Sequence, residues 1–148
     1  MEPSIKLRFF FMSTLYYGRL STGEQEVSCQ YTQFLLHSKK HYNGDGFSIP
    51  YCCDYFTEVC KGRTPFKERD SFQYFHFLEK GSTLIVSRLD RLARSSSVGL
   101  DILEDLNHRG LKLLILDLPE WPHLSKEDQF VLAAFIFKLN EILEVDKR

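Results

Sequence analysis

The chain has 148 residues, 43% hydrophobic and 26% charged, which suits one globular domain with a real core. No apolar run reaches membrane-spanning length, and the start lacks a signal-peptide pattern, since Phe9–Met12 is too short for either. A net charge of −1 argues against tight, unaided binding to duplex nucleic acid, although the charge is unevenly spread. Lys61–Arg94 carries eight Lys/Arg against four Asp/Glu, whereas Leu100–Arg148 carries six against ten.

Met12 resembles a natural start, so Met1–Phe11 is expected to extend outside the fold, with residues 1–14 leading into the first strand. Leu15–Gly18 is β-prone and is followed at once by Arg19 and Ser21. Thr22–His41 has helical spacing of Val27, Tyr31, Phe34 and Leu35. Ser21-Thr22-Gly23-Glu24 fits a capping box, so Ser21 is either the helix cap or a nucleophile. Tyr42–Pro50, containing Asn43-Gly44-Asp45-Gly46, reads as a loop; it lacks the third glycine and the helix of a dinucleotide fingerprint. A second strand is expected over Tyr51–Glu58, then a polar loop over Lys61–Glu68.

Asp70–Lys80 is expected to be a helix whose Phe72, Phe75 and Leu78 serve the core rather than stacking on bases. The short apolar run Leu84–Val86 reads as a buried strand, and it delivers Arg88, Asp90, Arg91 and Arg94 within seven positions. Arginines at the carboxyl end of a parallel strand lie where α/β folds bind ligands, and guanidinium matches phosphate oxygens two at a time. The cluster is therefore a phosphate clamp or a decorated helix start, with Asp90 able to hold one guanidinium in place.

Ser95–Ser97 can cap a helix over Val98–Arg109 that presents Leu100, Leu103 and Leu106, with Gly110 as its left-handed stop. Leu111–Leu116 reads as a buried strand and Leu118–Lys126 as a loop. Glu127–Arg148 reads as a helix with eight consecutive apolar residues, Phe130–Phe137, more than one sheet face can bury. One side is expected in the core and the other against a partner chain. The alternation predicts an α/β, three-layer domain over 15–126 with a mainly parallel central sheet of about four to five strands, then a long C-terminal helix.

Cys29, Cys52, Cys53 and Cys60 form no Cys-x-x-Cys pairs, and His37, His41, His76, His108 and His123 lack ligand spacing. Reduced structural thiols, a cytoplasmic location, no metal and no cofactor are expected.

Two separated motifs, Tyr17-Gly18-Arg19-Leu20-Ser21 and Leu89-Asp90-Arg91-Leu92-Ala93-Arg94, together resemble the serine recombinases of the resolvase/invertase family. The resemblance covers roughly Leu15 to Asp117. It implies an enzyme that cuts and rejoins DNA through a covalent 5′-phosphoserine link at Ser21. Arg19, Arg69, Arg91 and Arg94 would be catalytic and phosphate-binding, with Arg88 a further phosphate contact. Asp90 would orient an arginine or exchange a proton with the leaving oxygen, and Tyr17, Gln25 and Gln30 would support the site. Arg69 stands where the family places another arginine, after a loop that relatives keep mobile. The family's long helix forms a dimer, and a tetramer in synapsis, which assigns Phe130–Val145 to assembly. Where relatives carry an Ala-Glu-Phe-Glu-Arg-like run, this chain has Ile136-Phe137-Lys138-Leu139-Asn140. No helix-turn-helix domain is expected after this helix, so a separate DNA-targeting protein or a longer recombinase is the implied partner, in a bacterial or phage setting. The competing readings are a non-catalytic interaction partner acting through the last helix, and a flavodoxin-like domain binding a small phosphorylated ligand.

Overall fold

The computed structural model describes residues 13–20 and 27–146. The N-terminal extension, Ser21, Gln25 and the expected capping box therefore lie outside the described residues. Strand β1 (Thr14–Leu20) is followed by helix α1 (Val27–Tyr42) and β2 (Cys53–Val59). After a 3-10 turn at Phe66–Glu68 come α2 (Asp70–Tyr74), a second such turn at Phe75–Phe77, and β3 (Thr83–Val86). A turn at Leu89–Arg91 leads to α3 (Ser96–His108), β4 (Lys112–Ile115), a turn at Trp121–His123, and the long α4 (Lys126–Asp146).

The four strands are all parallel and lie in the order β2-β1-β3-β4, with Leu15 opposite Leu84 and Leu84 opposite Leu113. Side chains alternate across the sheet, as extended backbone requires. Leu15, Tyr17, Leu84 and Val86 face Ile102, Leu103 and Leu106 of α3 and Ala133 and Phe137 of α4. Tyr16 and Ile85 face Phe34 of α1 on the other side. These are the three expected layers. Because β2 and β3 flank β1, the chain leaves β1 in one direction and returns in the other, which creates a topological switch at their carboxyl ends.

Several boundaries differ from expectation for local reasons. The backbone N–H of Cys53 donates to Pro50 O (2.9 Å), closing a turn that delays β2 and leaves Tyr51 exposed. The helix expected over Asp70–Lys80 stops early, since the chain tightens to bury Phe75 edge-on against Tyr17 (centroids 5.6 Å apart) and turns extended at Leu78. Phe66, Phe72 and Phe75 pack on one another, so these aromatics build core. Ser95 caps α3 by accepting the Val98 N–H (3.3 Å), and Gly110 takes the left-handed conformation (φ 73°) that ends the segment. β4 is an edge strand, so Leu113 and Leu114 are only half-buried although their run is apolar apart from Lys112.

Helix α4 is two-sided as its composition requires. Phe137 is buried so tightly against α3 that a Cβ on Gly99 would lie 2.4 Å from its ring. Val131 and Phe135 are 68% and 65% exposed, and Leu139, Ile142 and Leu143 extend the same open stripe. No helix among the described residues is long and apolar enough to cross a membrane.

Under α1, His37 Nδ1 lies 2.8 Å from the buried Tyr16 hydroxyl. Burial, then His41 and Lys40 beside it, lowers the His37 pKa from 6.5 to about 4. The unfolded chain takes up this proton near 6.5 and the folded chain only near 4, so the associated stability is complete above that interval and falls as pH drops through it. About 1 kcal/mol is expected for a half-exposed ring. Urea midpoints across the interval should show this slope in the parent and lack it in His37→Gln.

Candidate active site

The carboxyl ends of β1 and β3 bring the two sequence motifs together. Arg19 is almost wholly buried, at 1% exposure, and its guanidinium donates to three backbone carbonyls. Nε bonds Arg91 O at 2.9 Å, Nη1 bonds Cys60 O at 3.0 Å, and Nη2 bonds Asp90 O at 3.0 Å. One side chain thus ties the end of β2 to the turn after β3. Burial lowers its pKa, with Arg69 and Arg94 acting in the same direction and Tyr17 and Cys60 opposing. A guanidinium starts so far above neutrality that it keeps its charge.

Gln30 of α1 grips the Arg19 peptide from the other side. Its Nε2 donates to Arg19 O (3.1 Å), and its Oε1 accepts the Arg19 N–H (3.3 Å). Gly18 permits this approach, since a Cβ there would lie 3.1 Å from Gln30 Oε1. The glycine inside the first motif therefore has a packing reason.

Arg69, 4% exposed, repeats the arrangement one loop away. It donates from Nε to Thr64 O (3.0 Å), from Nη1 to Leu92 O (2.6 Å) and from Nη2 to Gly62 O (3.2 Å). Gly62 O also accepts the Arg94 N–H (2.9 Å), and a Cβ on Gly62 would lie 2.2 Å from Arg94 Cγ. The Lys61–Glu68 loop is thereby pinned against Leu92–Arg94. Arg91 is buried and Arg94 half-buried, and Arg94 Nε has no hydrogen-bond partner among the described residues.

Five of the expected residues thus meet: Arg19, Arg69, Asp90, Arg91 and Arg94. Arg88 stands apart on the solvent side, 3.4 Å from Asp90 and 3.9 Å from Asp117. Asp90 Oδ1 is buried without a partner among the described residues. Burial raises the Asp117 pKa, with Arg88 opposing. Ser21 and Gln25 lie outside the described residues. Ser21 is nonetheless joined directly to Leu20, whose carbonyl accepts the Cys60 N–H (2.9 Å) beside this cluster.

Tyr17 points to the opposite face from Tyr16 and bonds a residue the motifs did not flag. Its hydroxyl donates to buried Glu58, which also accepts Ser71 Oγ (2.5 Å) and the Ser71 backbone N–H (3.1 Å). Burial and the Glu58 charge both raise the Tyr17 pKa. Because Ser71 lies in the first turn of α2, Glu58 caps that helix from a distance and fixes the segment that carries Arg69. The only trace in the sequence is a carboxylate in a β-prone run that also holds Asp54. The four cysteines are free thiols, and no three His, Cys, Asp or Glu side chains converge as a metal set among the described residues.

The family model described as "Resolvase, N terminal domain" matches residues 14–142. The crystal structure of the N-terminal catalytic domain of TP901-1 integrase is similar, with a TM-score of 0.55 and 19% identity over 92% of this chain and 98% of that one. The C-terminal catalytic domain of ISC1926 TnpA, an IS607-like serine recombinase, is also similar, with a TM-score of 0.51 and 15% identity over 86% and 98%. No curated protein matches in sequence. At these identities the structural likeness speaks for the fold, and the model match speaks for descent. By its sequence from the first strand to the last helix, this chain belongs to the resolvase N-terminal-domain family.

Proposed function

We propose that the domain cleaves and rejoins DNA strands by transesterification at Ser21. The observation that carries this reading is the gathering of Arg19, Arg69, Arg91 and Arg94 around the carboxyl ends of β1 and β3, where β1 ends at Leu20, the residue before Ser21 in the sequence. Ser21 Oγ attacks a backbone phosphorus, the bond to the 3′ oxygen breaks, and that oxygen leaves with a proton. A phosphoserine joined to the 5′ end and a free 3′-hydroxyl result, and a 3′-hydroxyl from another strand reverses the step. Phosphoryl transfer depends on positioning and on charge placed around the equatorial oxygens, which fixed guanidiniums supply. Arg91 and Arg94 are the direct phosphate ligands in this reading. Arg19 and Arg69 shape the loops that present them and add their field. Arg88 meets the DNA backbone farther out, and Asp90 orients an arginine. The phosphodiester energy stays in the covalent link, so no nucleotide cofactor takes part.

A duplex nicked near the exchange point tests this. The parent protein should leave a denaturant-stable protein–DNA adduct, and Ser21→Ala should leave none. Equal adduct from both would end the proposal.

Assembly is assigned to the open stripe of α4, with a like chain or a longer recombinase bringing the domain to its site. Phe135→Asp would force a carboxylate into that contact and should weaken self-association at least about tenfold. Sedimentation at matched concentration reads this out. The same stripe supports the second reading, an interaction partner without chemistry. That reading gains if Ser21→Ala changes no DNA product while Phe135→Asp abolishes capture by a full-length recombinase.

A further inference from the structure

We infer that Glu141 is a positioning residue that couples the C-terminal helix to the loop carrying Arg94. Forty-five residues from Ser96 in sequence, Glu141 Oε1 accepts both the Ser96 backbone N–H and Ser96 Oγ (3.1 Å). The first turn of a helix has N–H groups with no partner inside the helix, and a negative charge there also meets the positive end of its dipole. In α3 Ser95 takes the Val98 N–H, and Glu141 takes that of Ser96. The second cap therefore comes from α4, not from the local chain. The Ser96 N–H in turn holds the Glu141 carboxyl below its ordinary range.

The link continues from the cap toward the arginines. Two residues before Ser96, the Arg94 N–H bonds Gly62 O, which also holds Arg69 Nη2. Gly62 presses on the Arg94 side chain closely enough to leave no room for a Cβ. The short backbone segment Arg94–Ser96 thus joins the Glu141 contact at one end to the Gly62 and Arg69 contacts at the other. On α4, Glu141 lies between Leu139 and Ile142 of the exposed stripe, and Lys138 Nζ stands 3.6 Å from its other oxygen. A partner helix that shifts or rolls α4 would pull this carboxylate from Ser96 and change how Arg94 is held. The consequence for chemistry rests on the proposed recombinase reading; the coupling does not.

Amide hydrogen exchange tests the coupling on the full chain without DNA. Glu141→Ala should speed exchange at both Ser96 and Arg94 about tenfold or more, leaving Tyr16 and Ile85 in the sheet unchanged. Glu141→Gln keeps an oxygen acceptor and should recover most of the protection. Unchanged exchange at Ser96, or faster exchange at Ser96 with Arg94 unaffected, would overturn the inference. The adduct assay then separates the two claims. If the parent forms adduct, Glu141→Ala should change its rate at least about threefold, and an equal rate would refute control of the site by this contact. If the parent forms none, the recombinase reading fails while the exchange data still decide the coupling.

Discussion

Arg19→Ala is expected to lower the unfolding free energy by about 3–5 kcal/mol and to eliminate covalent attachment to DNA. The loss in stability follows from what the guanidinium touches. Three backbone carbonyls, of Cys60, Asp90 and Arg91, would lose their donor, the last in a buried setting and the other two in partly buried ones. Each buried group left without a partner costs about 1–3 kcal/mol, and local relaxation keeps the total below their sum. A domain with about 5–15 kcal/mol of stability would feel this as a large fall in melting temperature. Arg19→Lys should recover little, because one ammonium on a flexible stem cannot reach three carbonyls set by a planar fork. A side chain serving only as a phosphate ligand would cost adduct and spare stability. Urea denaturation beside the adduct assay separates the two roles, and a stability change below about 0.5 kcal/mol would refute the scaffolding role assigned here.

Glu58→Ala is the second large effect, expected at about 3 kcal/mol. It strips the acceptor from the Tyr17 hydroxyl and from both donors of Ser71, all of them buried. It also releases the first turn of α2, next to Arg69, so adduct formation should fall more than for an equally destabilising change elsewhere in the core. Glu58→Gln should cost less, about 1–2 kcal/mol, since one oxygen survives while the amide nitrogen meets a donor. Adding Tyr17→Phe to Glu58→Ala should cost less than the two single changes summed, because the hydroxyl left without a partner is then gone. Strict additivity in denaturant melts would count against a shared network.

The open stripe on α4 and the Glu141 contact give these effects a common setting. In the proposed assembly the stripe meets another chain, and Glu141 is the contact through which that event would reach the arginine loop. In this arrangement stability and site geometry share the same side chains, so substitutions at the site should seldom be silent in unfolding experiments.

Much was legible without coordinates, and the reason is locality. A β-prone run marked Leu15–Gly18 and a short apolar run marked Leu84–Val86 as strands, Gly110 marked the end of α3, and Ser95–Ser97 its start, because each signal lies within a few residues of its effect. The excess of grease over Phe130–Phe137 foretold a helix with two apolar sides. The two arginine motifs, spaced far apart in the chain, were enough to name the family and to single out Arg19, Asp90, Arg91 and Arg94 as neighbours.

What each guanidinium does was decided only in three dimensions. Arg19 reaches carbonyls more than seventy residues away, and Arg69 and Arg94 share one carbonyl on Gly62. Glu58 and Glu141 cap helices from outside them, with no local spacing to betray it. Arg88, one residue before the second motif, is turned outward between Asp90 and Asp117 by the path of the backbone. A sequence pattern records which face of an element is apolar and where its ends fall, since those depend on neighbours along the chain. The pairing of a buried donor with an acceptor depends on which elements pack together, and that is a property of the folded chain alone.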